Sequence, residues 1–104
     1  MRKGRHAAGS VRGIDLAEFT DLPAGATGAV INLAVADTDP LGFVTVFNGA
    51  TADDARPNSS SINYTDVGTY IANGIIVAVS PTATVKVYAS AATDVLIDVV
   101  GYVT

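Results

Sequence analysis

The stretch that decides the fold is the last one, DVLIDVVGYVT at residues 94–104. Branched apolar residues fill most of its positions, which is typical of a strand packed on at least one face. Asp98 stands inside this run, where a carboxylate needs either solvent or hydrogen-bond donors. The pattern predicts a closing β-strand at the C-terminus that carries one acid in a structural role.

Upstream of this strand, short apolar runs recur and turn-forming residues separate them. The runs cover residues 29–35, 43–47, 62–64, 70–79 and 85–88. No segment joins a helix-capping residue to a sustained helical period, because 15–19 is too short to stand alone. The chain is therefore predicted to be all-β, a single antiparallel β-sandwich or small barrel of six to seven short strands with an extended N-terminal arm.

Local turn chemistry predicts how some of these strands connect. The sequence DTDPLG at 37–42 predicts a hairpin between 29–35 and 43–47. Asn73-Gly74 favours either a second hairpin or a bulge within one long strand, and the pattern leaves both open. Residues 48–61 form the longest irregular segment, so we expect them to offer the best loop for partner contact.

Composition limits the class of protein. A chain of 104 residues makes one domain, and 15% charged residues is low for a helical bundle or a disordered chain. There is no cysteine, so neither a disulfide nor a thiolate metal site nor a thiol nucleophile is expected.

Charge divides the chain into two parts. Four of the six basic residues precede Gly13, and all ten acidic residues follow it, although the net charge is only −4. We therefore expect residues 1–24 to be a basic arm and lead-in and 25–104 to be the sandwich. The arm either docks on an acidic surface of its own domain or of a neighbouring copy, or remains a mobile, solvated tail. The docking residues are Arg2, Lys3, Arg5 and Arg12. Nucleic-acid binding by the acidic body is disfavoured.

Nothing near the N-terminus matches an export signal, because charged residues interrupt the region where an apolar run is required. No apolar stretch reaches the length of a membrane span. We therefore expect neither export by the chain's own signal nor membrane insertion.

ARPNSSSINY at 55–64 and DVLIDVVGY at 94–102 carry a family resemblance. Together they resemble a module that is repeated in secreted and cell-surface proteins of actinobacteria, reading A-R-P-x-A-S-N-x-N-Y and ending D-V-x-x-D-V-V-G-Y. The resemblance covers roughly residues 25–103 and implies a structural or adhesive part. Arg56 and Asp98 match motif positions of the module, and we predict that their charged groups lie within about 6 Å of each other.

Catalytic chemistry finds little support. His6 is the sole imidazole and falls in the expected arm. Asp94 and Asp98 share one strand face about 13 Å apart, which exceeds the separation that glycosidases use. The chain is predicted not to be an enzyme and to need no cofactor.

Two binding hypotheses stay open. Asp37, Asp39, Asp53 and Asp54 can supply oxygen ligands for calcium, although turn capping is the favoured explanation. The tyrosines at 64, 70, 88 and 102 can stack on sugars, although tyrosine also suits half-buried strand positions.

A free-standing module of this kind without an export signal suggests a virion protein assembled in the host cytoplasm. We expect a capsid decoration or surface protein of a bacteriophage that infects actinobacteria, docked on the major capsid protein or another virion protein as a homo-oligomer, with a trimer as one arrangement. The alternative is a cell-surface module that binds host or cell-wall glycans outside the cell.

Overall fold

Eight strands form two four-stranded antiparallel sheets. The computed structural model describes residues 2–18, 22–23, 25–68 and 70–104. The strands are β1 (Arg2–His6), β2 (Ser10–Asp15), β3 (Gly28–Ala36), β4 (Gly42–Asn48), β5 (Ile62–Tyr64), β6 (Ile71–Ala78), β7 (Thr84–Ala89) and β8 (Thr93–Val103). Short 3-10 helices span Leu16–Glu18 and Asp53–Ala55. The predicted all-β sandwich is confirmed.

The order of strands is β1-β8-β3-β6 in sheet A and β2-β7-β4-β5 in sheet B. Alternation along each strand sends every second side chain into the space between the sheets. Ile31, Leu33 and Val35 of β3 are fully buried there, opposite Val85 and Val87 of β7. The core is therefore a layer of branched aliphatic side chains, as the valine-rich runs predicted.

The N-terminal segment is not a separate arm. β1 pairs with β8 in sheet A, and β2 pairs with β7 in sheet B. Ile14 and Leu16 belong to the hydrophobic core. These two strands raise the count from the predicted six or seven to eight. The basic residues that suggested a solvated arm lie in edge strands.

The predicted hairpin between β3 and β4 is wrong, since the two strands belong to different sheets. Positive φ angles at Asp37 and Leu41 bracket the connection. Residues 37–41 do connect the two strands, but they carry the chain from one sheet to the other. Asn73-Gly74 lies within β6, whose register with β3 continues without a shift. It therefore makes neither the second hairpin nor a bulge in that pairing.

β8 lies inside sheet A, between β1 and β3. Its register with β3 shifts between Val30 and Ile31, which pair with Gly101 and Val99. Val100 is thus the extra residue of a β-bulge. Val100 is 65% exposed, and the strand alternates between exposed and half-buried residues from Asp98 to Tyr102.

Candidate functional surfaces

The outer face of sheet A is built largely from apolar and small residues. Cross-strand rows can be read from the register. Val30 lies between Ile76 and Gly101, Asn32 between Gly74 and Asp98, and Ala34 between Ala72 and Leu96. Neighbours in such rows have Cβ atoms about 5 Å apart and form one continuous surface.

The apolar part of this surface is concentrated at one end. Ile76, Val100 and Val103 are 71%, 65% and 42% exposed. Together with Val30 they define what we call the open face. Arg5 and Asp94 pair at the opposite end of the sheet, whereas the exposed Asp98 borders the open face in the next row. Soluble proteins rarely leave such a group of large apolar side chains in water without a partner.

The outer face of sheet B is covered by the chain itself. Residues 49–61 run back across it, and the Thr45 hydroxyl donates a hydrogen bond of 2.7 Å to the Ser59 carbonyl. Lys86 Nζ lies 2.8 Å from an Asp53 carboxylate oxygen and 2.6 Å from the Thr51 carbonyl. The long loop that the sequence assigned to partner contact therefore also serves as a cover, although residues 52–60 remain exposed.

Arg5 occupies the centre of a group of carboxylates. Its guanidinium lies 3.3 Å from Asp39, 3.8 Å from Asp37 and 3.9 Å from Asp94. It also donates to the Asp37 carbonyl, while Arg12 donates to the Arg5 carbonyl at 2.6 Å. Two of the four predicted docking cations are thus used inside the domain. Arg2 and Lys3 lie in β1.

The proposed calcium ligands are divided between two places. Asp37 and Asp39 surround Arg5, whereas Asp53 pairs with Lys86 beside Asp54. Within the described ranges, no group of three or more acidic or histidine side chains is arranged to hold a metal ion. The positive charge beside Asp37 and Asp39 is the guanidinium of Arg5.

The predicted ion pair of Arg56 with Asp98 does not form. Arg56 stacks on the ring of Tyr88, with its central carbon 3.7 Å from the ring centroid. Asp98 is exposed on β8, which belongs to the other sheet. The motif positions were read as partners because each needs a counterpart. The Asp98 carboxylate is solvated, and the Arg56 guanidinium interacts with the face of the Tyr88 ring.

The tyrosines have different environments. Tyr64 is buried and donates a 2.6 Å hydrogen bond to the Ala91 carbonyl, and burial raises its pKa. Tyr88 lies beneath Arg56, and Phe43 lies beside it at 5.8 Å between ring centroids. Tyr70 and Tyr102 are exposed. The structure therefore does not gather the four into one sugar-binding platform.

A shallow cleft lies where β4, β5 and the segment after β7 meet. Its volume is about 350 Å³. The lining residues are Leu41, Gly42, Phe43, Asn63, Tyr64, Thr65 and Ser90. The Ser90 hydroxyl accepts a hydrogen bond from the Phe43 amide, and Asn63 and Thr65 add two further polar side chains to the lining.

His6 is buried at the end of β1. Its Nε2 lies 2.8 Å from the Ser10 carbonyl, so this nitrogen carries the proton and donates it. Burial lowers the pKa of His6 below its ordinary 6.5, and the nearby charge of Arg12 acts in the same direction. The sequence placed this imidazole in a mobile arm, whereas it helps to anchor the turn between β1 and β2.

Acid is expected to weaken the fold through His6. Because the folded-state pKa lies below the unfolded value of 6.5, the unfolded chain binds the proton first. The free energy of unfolding should be greatest above about pH 7 and should decrease as the pH falls through about 6.5 towards 5. Urea denaturation across this range measures the effect. His6→Gln should give a flatter curve, and equal slopes for the two proteins would contradict the expectation.

The sequence contained a signal for the open face that periodicity alone does not show. Residues 70–79 hold no charged side chain, and apolar residues occur at both odd and even positions. Such a run is expected of a strand buried on both faces. β6 lies at a sheet edge and exposes Ile76, so its outer apolar face is not buried within the domain.

Comparisons of the chain with protein-family models, curated proteins and solved structures found no match. No helix within the described ranges has the length and apolar character to cross a membrane.

Proposed function

We propose that this chain is a non-enzymatic structural subunit that binds other protein subunits through the open face, in the setting of a virion surface. The observation that supports it is the difference between the two outer faces. The chain covers sheet B with its own loop and leaves Ile76, Val100 and Val103 of sheet A in solvent. Burying apolar area of this kind is the main favourable term in protein association.

The docking element differs from the arm expected from the sequence. β1 and β2 are built into the two sheets, and the Arg5 and Arg12 side chains contact groups of the same domain. Docking is therefore assigned to the open face, and the basic strand β1 completes sheet A by pairing with β8. The partner we propose is the major capsid protein or another virion protein, which makes the chain a capsid decoration protein.

Ile76→Lys is expected to weaken binding to capsids by about tenfold or more, because the ammonium group has to lose its water at an apolar contact. The measurement is co-sedimentation of the purified chain with bacteriophage capsids that lack it. Val67→Lys is the matched control, since Val67 is 73% exposed but lies in the segment between β5 and β6. Equal losses in both variants, or no wild-type binding, would contradict the proposal.

The glycan-binding alternative has the cleft in its favour. Phe43 offers an aromatic ring beside Asn63 and Thr65, a combination that suits a sugar with one apolar face. The same co-sedimentation run with purified host cell walls separates the two functions. Pelleting with cell walls but not with capsids would transfer the assignment to this alternative.

A further inference from the structure

The four sheet edges differ in how they are protected against pairing with another chain. β1 contains three basic residues, β2 contains Arg12 and Asp15, and β5 is only three residues long. Charge and shortness are the usual means by which proteins blunt an exposed edge. β6 has neither: it is eight residues long, has no charge or proline, and keeps an unshifted register with β3.

The amides of β6 that face outward can be identified. Val79 donates to the Thr27 carbonyl at 3.1 Å, so odd-numbered residues point their backbone groups towards β3. Successive residues of a strand point these groups to opposite sides. The amides of Ala72, Gly74 and Ile76 therefore face the open edge, where no described strand pairs with them.

We propose that β6 pairs antiparallel with β6 of a second copy of this chain, which joins two sheets A into one continuous sheet. Self-pairing about a two-fold axis brings no charged residue of β6 against another, whereas self-pairing of β1 sets basic residues against each other. When Ile75 lies opposite Ile75 of the second copy, Ile76 lies opposite Gly74 of that copy. The large isoleucine side chain then faces a glycine, which leaves room for it. The inference rests on the proposed use of sheet A in association, and it selects a dimer instead of the trimer expected from the sequence.

Gly74→Pro tests the edge directly. Proline removes an amide that faces the open edge, and a Cβ atom added at this position meets no atom within 4 Å. Sedimentation of the full chain should show twice the mass of the 10.5 kDa subunit. The variant should raise the dissociation constant of the dimer by about tenfold or more, because the central hydrogen bonds of the pair are lost.

Gly13→Pro is the matched control. A Cβ atom added at Gly13 also meets no atom within 4 Å. Leu16 donates to the Ala83 carbonyl, so even-numbered residues of β2 face β7 and the Gly13 amide faces solvent at the other sheet's edge. The control variant should remain dimeric. A monomeric wild type at millimolar concentration, or a control that dissociates equally, would overturn the pairing.

Amide hydrogen exchange gives a second readout without any substitution. The amides of Ala72, Gly74 and Ile76 should exchange more slowly at high than at low protein concentration, and the Gly13 amide should not change. Exchange that is independent of concentration would refute the pairing. Because capsid binding uses the open face, a monomeric Gly74→Pro chain that still pellets with capsids would separate dimerisation from the proposed function. Loss of capsid binding by an intact dimer would count against the function alone.

Discussion

Deleting residues 1–15 is expected to unfold the protein, although the sequence predicts that this segment is a basic arm outside the sandwich. The deletion removes β1 and β2, which leaves β8 and β7 as new edges. It also removes Ile14 from the core and takes away the strand that positions Leu16. Loss of a buried isoleucine alone costs about 2–5 kcal/mol. With two strand pairings lost as well, the total approaches the stability of a whole domain, about 5–15 kcal/mol.

The measurement is thermal unfolding followed by circular dichroism. The shortened chain should show no cooperative transition, or one at a much lower temperature. A full-length control in which Arg2, Lys3, Arg5 and Arg12 are all glutamine keeps the strands and removes the positive charge. Exposed ion pairs contribute about 0–1 kcal/mol each. Because Arg5 pairs with Asp37, Asp39 and Asp94, the control should lose at most about 3 kcal/mol, less than the shortened chain. A shortened chain as stable as the full one would show that the segment is an arm after all.

The fold class followed from the sequence because strand signals are local. Ile31, Leu33 and Val35 alternate with smaller or polar residues, and the valine-rich runs fix strands wherever they pair. Sheet membership is not local. The turn at 37–42 has the composition of a hairpin, yet it joins sheet A to sheet B. A turn sequence specifies local backbone angles, whereas long-range pairing decides which sheet receives the next strand.

The same distinction explains the N-terminus. Four cations within twelve residues predict a solvated segment when charge is considered alone. Edge strands tolerate such charge because one side of each is unpaired, and charged side chains there discourage pairing with another chain. The isolated apolar residues Ile14 and Leu16 were the contrary signal, and they are buried.

Candidate site residues were predicted less well than the fold. Arg56 and Asp98 were predicted to form an ion pair. A sandwich has two outer faces, however, and Arg56 packs on Tyr88 of sheet B whereas Asp98 lies in sheet A. The open face was missed because Ile76 and Val100 resemble core residues in any local pattern. Only the strand order shows that β6 has no hydrogen-bonded strand on one side among the described residues. Exposure of such residues depends on contacts between distant parts of the chain.

Leu16→Ala is expected to lower the free energy of unfolding by about 2–5 kcal/mol, the range for a leucine truncated in a close-packed interior. Leu16 is 1% exposed and follows β2 directly in a short 3-10 helix. Its amide is fixed by the Ala83 carbonyl at 3.0 Å. This backbone anchor limits how far the segment can move to fill the cavity, so we expect a cost towards the upper part of the range. The melting temperature should fall by more than about 8 °C.

Leu41→Ala makes the same chemical change at a position that is 78% exposed. Its effect should stay within about 0.5 kcal/mol, because no cavity is created there. Urea unfolding of both variants beside the wild type measures the difference under one set of conditions. If Leu16→Ala proves as mild as Leu41→Ala, residue 16 does not contribute to the core, and the integration of the N-terminal segment into the sandwich has to be abandoned. A large effect confined to Leu16 would show that the sandwich needs its first sixteen residues for packing, independently of the charge they carry.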